Sequence, residues 1–371
     1  MHLTKGLLFC LLLSSAFALE AQEKVNYKPP IPFIPETYVA YQVLSPLKID
    51  GYLSEESWTA ANWTRNFVDI QGALRPAPPL QTRVKMLWDE AYFYIAAEME
   101  EPQVWATLKE RDTIIYQDDD FEVFIDPDSD GLHYYEFEIN AFNTVWDLLM
   151  LRPYRNNLSR LPINLFNWNI PDWQTAVSVQ GSINDPSDKD QGWTVEMAIP
   201  WSALAEMAKP KRRPQEAEQW RVNFSRVDWH MQVEGNTYVK EKNPDTGKNR
   251  AEENWVWSPQ GVVNMHRPET WGYVQFTTTK VGARSIPFAV NSEEQIKWAL
   301  WQLYYQQYLY REQHGFFTAD RTKLTLPTVN LPNYQLLPVI FMGPKSFEIL
   351  VPSLERGIFW HINEQGRIWK D

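Results

Sequence analysis

The chain has 371 residues, with 35 Lys and Arg against 47 Asp and Glu, for a formal net charge of −12. A surface this negative repels phosphate backbones and argues against a nucleic-acid partner. The 22% charged and 44% hydrophobic residues exclude disorder across most of the chain, and the 18 Trp are too many to assign to a core without asking whether some face a ligand.

Residues 1–21 combine Lys5, an apolar run from Leu7 to Leu13 and a small-residue stretch ending in Ala16-Phe17-Ala18. This is the layout of a secretory signal peptide cut after Ala18 or Ala21. The run is far shorter than the ~18 to 20 residues that cross a bilayer, and no later segment reaches that length without a charge, so no transmembrane segment is expected. The one cysteine, Cys10, lies inside the signal, which leaves the mature chain without a disulfide or a thiolate metal site. Lipidation of Cys10 is the competing reading. A cysteine-free exported chain points to a bacterial protein that is secreted, periplasmic or on the cell surface.

Residues 22–37 form a Pro-rich leader, in which Tyr27-Lys28-Pro29-Pro30-Ile31-Pro32-Phe33-Ile34-Pro35 favours an extended polyproline-type path. From 38 to 280 the chain reads as short strands with period-2 alternation, preceded by one short helix begun by Ser54 with Glu55 and Glu56 in its first turn. Strands are expected at 83–88, 92–99, 121–126, 135–140, 144–150, 174–180, 193–199, 220–229, 254–257 and 271–278. Phe121, Val123, Ile125, Tyr135, Phe137 and Ile139 should point one way. So many short strands with little helix indicate a mainly β protein, an immunoglobulin-like antiparallel β-sandwich. Residues 285–371 read as a small α+β domain: a capping box of Ser292 and Gln295, a Trp- and Tyr-rich helix ending at Gly315, then strands at 336–341, 347–351, 358–362 and 366–369. The turn Asn363-Glu364-Gln365-Gly366 joins the last pair.

No G-x-S-x-G, H-E-x-x-H, Walker or G-x-G-x-x-G motif is present. His133, His230 and His266 are too dispersed to suggest a zinc site. Asp126-Pro127-Asp128-Ser129-Asp130-Gly131 opens like a calcium loop, but Phe137 stands at the twelfth position where a bidentate Glu is needed. No cofactor is required by the sequence; a looser Ca2+ site that draws on Asp118, Asp119 or Asp120 is compatible with it. The acidic run Gln117-Asp118-Asp119-Asp120 enters the strand 121–126, whose Glu122 leaves the face opposite Phe121 and Val123. Two readings stand beside each other: a solvated edge, or a carboxylate that accepts hydrogen bonds from vicinal sugar hydroxyls while Tyr116 covers the C–H face of a pyranose.

Several segments, taken in order, resemble type 9 carbohydrate-binding modules. They are Ile49-Asp50-Gly51 with Trp58, Val84 to Glu90 with Tyr92-Phe93-Tyr94, Asp119 to Asp126, Gly192 to Glu196 with Ile199-Pro200-Trp201, Trp220 to Phe224, and Trp257-Ser258 through Pro268 to Trp271-Gly272. The resemblance spans about residues 40–278. It implies a β-sandwich that binds free sugars or the reducing ends of plant polysaccharides beside glycoside hydrolases. The two tryptophans with which the family pinches its sugar match Tyr116 and Met265 or the adjoining His266. The family's glutamate is kept as Glu122, and a family arginine matches Glu138, for which Arg226 on a later strand is the expected substitute donor.

The main reading is therefore a secreted, non-catalytic carbohydrate-binding protein. Tyr116, Glu122, Glu138, Arg226, His266 and Arg267 are expected to line its site and Trp257 to support it. A glycoside-processing enzyme that uses a pair of these acids is one alternative. Another is a haem-binding redox sandwich with Met265 and His266 as axial ligands, since related sandwiches hold haem. The Trp- and Tyr-rich C-terminal domain offers a contact surface for another protein.

Overall fold

The computed structural model describes residues 29–156 and 162–371. The signal-peptide assignment for 1–21 and the start of the leader lie outside them. Alternating side chains build one long hydrogen-bonded path that folds over on itself. Its strands are β1 (Thr37–Gln42), β2 (Thr82–Trp88), β3 (Tyr92–Glu100), β4 (Asp120–Asp126), β5 (Tyr134–Asn140), β6 (Val145–Met150), β7 (Gln174–Gln180), β8 (Gly192–Pro200), β9 (Gln219–Asp228), β10 (Glu253–Val256) and β11 (Gly272–Lys280). The order is β6-β5-β4-β9-β11-β1-β2-β3-β8-β7, with β10 branching from β9.

The two ends of this path face each other. Phe121, Val123, Ile125, Tyr135, Phe137, Ile139, Trp220, Val222 and Phe224 from one half share a core with Val84, Met86, Trp88, Phe93, Ile95, Trp193, Val195 and Met197 from the other. The six residues expected to point one way on β4 and β5 all do so. The sandwich departs from a wholly antiparallel one at β1, which pairs in parallel with both β11 and β2 and so carries the path from one layer to the other. The short helix α1 spans Glu56–Ala60 with Glu55 at its N-cap position, and no side chain caps it.

The leader is extended and also packed: the Phe33 ring stacks 4.2 Å from Trp298. Trp298 lies on α3 (Glu294–His314), beyond the short α2 (Trp201–Leu204). Gly315 closes α3 at φ 84°, the left-handed conformation a C-terminal glycine supplies without a Cβ clash. The capping box does not form. Asn291 accepts from the Glu293 backbone N–H instead, and Gln295 accepts from that of Asn330. The inner face of α3, with Ile296, Leu300, Leu303 and Tyr304, packs on Phe347, Ile349, Val351 and Ile362. These belong to an antiparallel sheet of β12 (Val339–Met342), β13 (Phe347–Pro352), β14 (Phe359–Asn363) and β15 (Ile368–Lys370).

Charged contacts fix this unit to the sandwich. Arg155 makes a two-pronged pair with Glu269 at 2.7 and 2.9 Å, and the Tyr305 hydroxyl of α3 donates to the same carboxylate at 2.5 Å. The Ile368 backbone N–H donates to the Asp130 carbonyl at 2.8 Å, and Arg367 pairs with the Asp130 side chain at 3.2 Å.

Within the C-terminal unit Glu293 is the organising anion. It accepts from Ser353 Oγ, the Leu354 N–H, Trp360 Nε1 and Lys370 Nζ. Burial raises its pKa, but these donors outweigh burial and bring it from 4.5 down to about 2. A depressed carboxyl pKa stabilises the fold above the unfolded-state value and loses that effect as pH falls toward the folded value. Glu293→Gln should cost roughly 1.5–3 kcal/mol at pH 7, and the gap to wild type should narrow between pH 4.5 and 2; urea titrations followed by tryptophan fluorescence across that range check both.

Candidate functional site

β4 is buried on both faces, so its alternation sends Phe121, Val123 and Ile125 into the core and Asp120, Glu122 and Phe124 the other way. On β5, Glu138 stands opposite Glu122 and Glu136 opposite Phe124. On the outer side Trp146 of β6 faces Glu138, and Ser225 of β9 faces Glu122. Asp120, Glu122, Glu136 and Glu138 thus share one sheet face, and each is at most 5% exposed.

Segments far apart in sequence roof this face. A single 3-10 turn, Ile115–Gln117, lays its Tyr116 N–H on Glu138 Oε2 at 3.0 Å. A second turn, Tyr154–Asn156, follows β6 and sets the Tyr154 ring edge-on to His266, 4.4 Å between centroids. His266 in turn bonds the Tyr134 hydroxyl through Nδ1 at 2.8 Å and holds Nε2 3.7 Å from Glu136. Phe166 packs 5.2 Å from Trp146. Three rings stay open to solvent at this rim: Tyr116 at 39%, Tyr154 at 43% and Phe166 at 44% exposure.

The electrostatics follow from burial. Loss of water pushes Glu122 up to about 7, with Ser225 pulling down and Glu252 adding to the rise. Burial and the mutual repulsion of the acids push Asp120, Glu136 and Glu138 well above the usual carboxylate range. Among the described residues no lysine or arginine forms an ion pair with any of the four. His266 does not compensate them either: burial, with the Arg155 charge nearby, brings its pKa down to about 3, so the imidazole is neutral at pH 7. Tyr154 shares this field, its phenol shifted upward by burial and then by Glu136, Glu138 and Tyr116.

Tyr116, Glu122, Glu138 and His266 are therefore brought together, although Glu122 and Glu138 lie under a roof and not on an open face. The structure separates the other three expected residues from them. Arg226 has the parity of Phe224 and points to the opposite face of β9, where it pairs with Glu101 at 2.5 Å and Asp228 at 2.7 Å and lies over Trp255. It cannot supply the donor expected beside Glu122. Trp257 is sunk in the sandwich core against Phe224. Arg267 is buried, 3.6 Å from Glu269 and over the Tyr305 ring, in the contact with α3.

Met265 is buried among Phe124, Tyr134 and Trp271, so neither a clamp nor an open haem ligand stands there. The second exposed ring is Tyr154, which the sequence reading missed. Its signal was Pro153-Tyr154 directly after the strand that flanks the acidic pair. Glu136 was legible too, since it shares the parity of Glu138.

Two other features lie elsewhere. Asp126, Asp128 and Asp130 have oxygen atoms within 4.8 Å of one another, but Lys209 Nζ already sits 2.6 Å from Asp128 and 2.9 Å from Asp130. A cavity of about 650 Å3 is lined by Arg75, Pro76, Pro78, His230, Asn254 and Trp255 among others. Its one indole, Trp255, is 3% exposed and offers no flat face to a ligand.

A rim of half-exposed phenol and phenyl rings above a floor of carboxyl groups suits a ligand with apolar faces and many hydroxyls, on a β-sandwich scaffold. Residues 49–275 match the family model described as carbohydrate family 9 binding domain-like. That match covers more than half of the chain, and the chain belongs to this family. No curated protein matches it. Similar solved structures include a family 9 carbohydrate-binding module from Caldicellulosiruptor kristjanssonii in complex with cellotriose, at 14% identity over 69% of this chain and 100% of that one, TM-score 0.42. The family 9 module from that organism in complex with glucose matches at 14% identity over 67% and 100%, TM-score 0.41. A Bacteroides uniformis protein matches at 16% identity over 65% and 99%, TM-score 0.47.

The placement of Arg226 makes it a structural residue. Arg226→Ala would leave Glu101 buried without its partner and should cost about 3–5 kcal/mol of stability, read from urea unfolding. An unfolding midpoint within error of wild type would return Arg226 to the list of accessible groups.

Proposed function

We propose that the chain is a secreted, non-catalytic carbohydrate-binding protein that acts beside glycoside hydrolases in polysaccharide breakdown. Export rests on the N-terminal sequence; among the described residues no helix is long and apolar enough to cross a membrane. Family membership supports the ligand class. The observation that carries the site is the tether between Tyr116 and Glu138. It fixes a ring that is 39% exposed directly above the roofed acidic face, and that ring is the surface offered to a sugar. Tyr154 is the opposing ring, and Glu122, Glu138 and His266 provide polar partners. Residues 38–280 act as the binding unit and 285–371 as the unit that braces it.

The floor favours binding over hydrolysis. Glu122 and Glu138 are direct cross-strand neighbours on one surface, whereas a glycosidase sets its two carboxyl groups on either side of the scissile bond.

Tyr116→Ala and Tyr154→Ala should each weaken binding of the best ligand on a plant-glycan array by about 1–3 kcal/mol, or roughly five- to two-hundredfold. Calorimetry on the mature protein measures it. Undiminished affinity in both variants would place the sugar elsewhere.

A further inference from the structure

Several buried acids of this molecule come with a cation, and others, such as Glu196 and Asp118, collect neutral N–H and O–H donors. Glu101 has Arg226, Glu269 has Arg155, Asp147 has Arg111, and the Asp128 and Asp130 pair has Lys209. Asp120, Glu122 and Glu138 have no cation among the described residues and lie together. Each presents an oxygen within 4.8 Å of the others, and none is in an ion pair with a described residue. Asp120 is fully buried, and neither of its side-chain oxygens has a hydrogen-bond partner. Beside them the Oε2 atom of buried Glu136 is also without one. Unpaired buried oxygens of this kind cost several kcal/mol unless something occupies the space between them.

We propose that Asp120, Glu122 and Glu138 form a binding site for a divalent cation, Ca2+, on the roofed face of β4 and β5. The donors are all carboxylate oxygens, which selects a hard ion over zinc or copper. Oxygens at about 2.3–2.6 Å from Ca2+ lie up to about 5 Å from each other, which the observed spacing satisfies. Mg2+ needs a tighter and more regular octahedron and gives up its water reluctantly. Three carboxylates supply at most six oxygens, and water would complete the shell. The site stands on these three residues whether or not the cleft holds a sugar, so it is tested with the metal alone.

Chelator-treated mature protein should bind Ca2+ in a calorimetric titration, and Asp120→Asn and Glu138→Gln should each weaken that binding by about tenfold or more, as expected when a charged ligand is lost. Asp128→Asn, in the cluster that Lys209 fills, should bind as wild type does. Tb3+ provides an independent readout, because Trp146 faces Glu138 and is placed to sensitise its emission. Trp146→Phe keeps an aromatic ring beside Glu138 and all three carboxylates, and should remove most of the sensitised emission while calorimetric Ca2+ binding persists. No Ca2+ binding by the wild type, binding undiminished in Asp120→Asn and Glu138→Gln, or binding abolished only by Asp128→Asn would each overturn the assignment. So would Tb3+ emission unchanged in Trp146→Phe, which decides the matter even if the ligand variants fail to fold.

Discussion

The burial of β4 and β5 on both faces is the constraint from which the rest of the molecule follows. One face of this strand pair is conventional, with six apolar side chains closing the sandwich core. The other face, equally removed from water, carries Asp120, Glu122, Glu136 and Glu138. A sheet does not hold four carboxyl groups there for stability, because desolvation penalises each charge and the neighbours repel. The proposed cation would satisfy them, in line with the general tendency of perturbed carboxyl groups to collect at functional sites.

Partners explain why several other buried acids are tolerated. Glu269 is closed by the fork of Arg155 and by Tyr305, and Glu101 by Arg226. Glu196, on β8, collects the Trp58 indole N–H and the backbone N–H groups of Asp50 and Gly51. These carboxylates have turned their lone pairs to structural use. The contrast with Asp120, Glu122, Glu136 and Glu138 lies in the partners, not in depth of burial.

The framework was legible because its signals are local. Alternation on β4 and β5 is visible within seven residues, and it placed both the core residues and the opposite parity of Glu122 correctly. The orientation of Arg226 is legible too, through the shared parity of Val222, Phe224 and Arg226, which turns it away from Glu122. What could not be read was the roof. It is assembled from Ile115–Gln117, Tyr154–Asn156 and the His266 segment, brought together only by the fold, so Glu122 reads as exposed from sequence and is buried in fact. The capping box failed for a similar reason: Gln295 finds the Asn330 backbone, a partner 35 residues away. β1 was missed because it joins its neighbours in parallel at the layer crossing and has no hairpin turn to announce it.

The C-terminal unit finds its place in this scheme through one residue of the roof. Tyr154 belongs to the three-residue turn Tyr154–Asn156. Its neighbour Arg155 is anchored in the Glu269 fork, with Trp301 and Tyr304 of α3 packed against the guanidinium at 5.2 and 5.9 Å. The carboxylate that completes the fork also takes the Tyr305 hydroxyl of α3. If the half-exposed ring meets a ligand as proposed, such an anchor reduces the conformational freedom lost on binding. The aromatic helix, which carries no site chemistry of its own, thereby acts on the cleft from behind, and the unusual number of Trp and Tyr residues is divided between the interior, this brace and the rim.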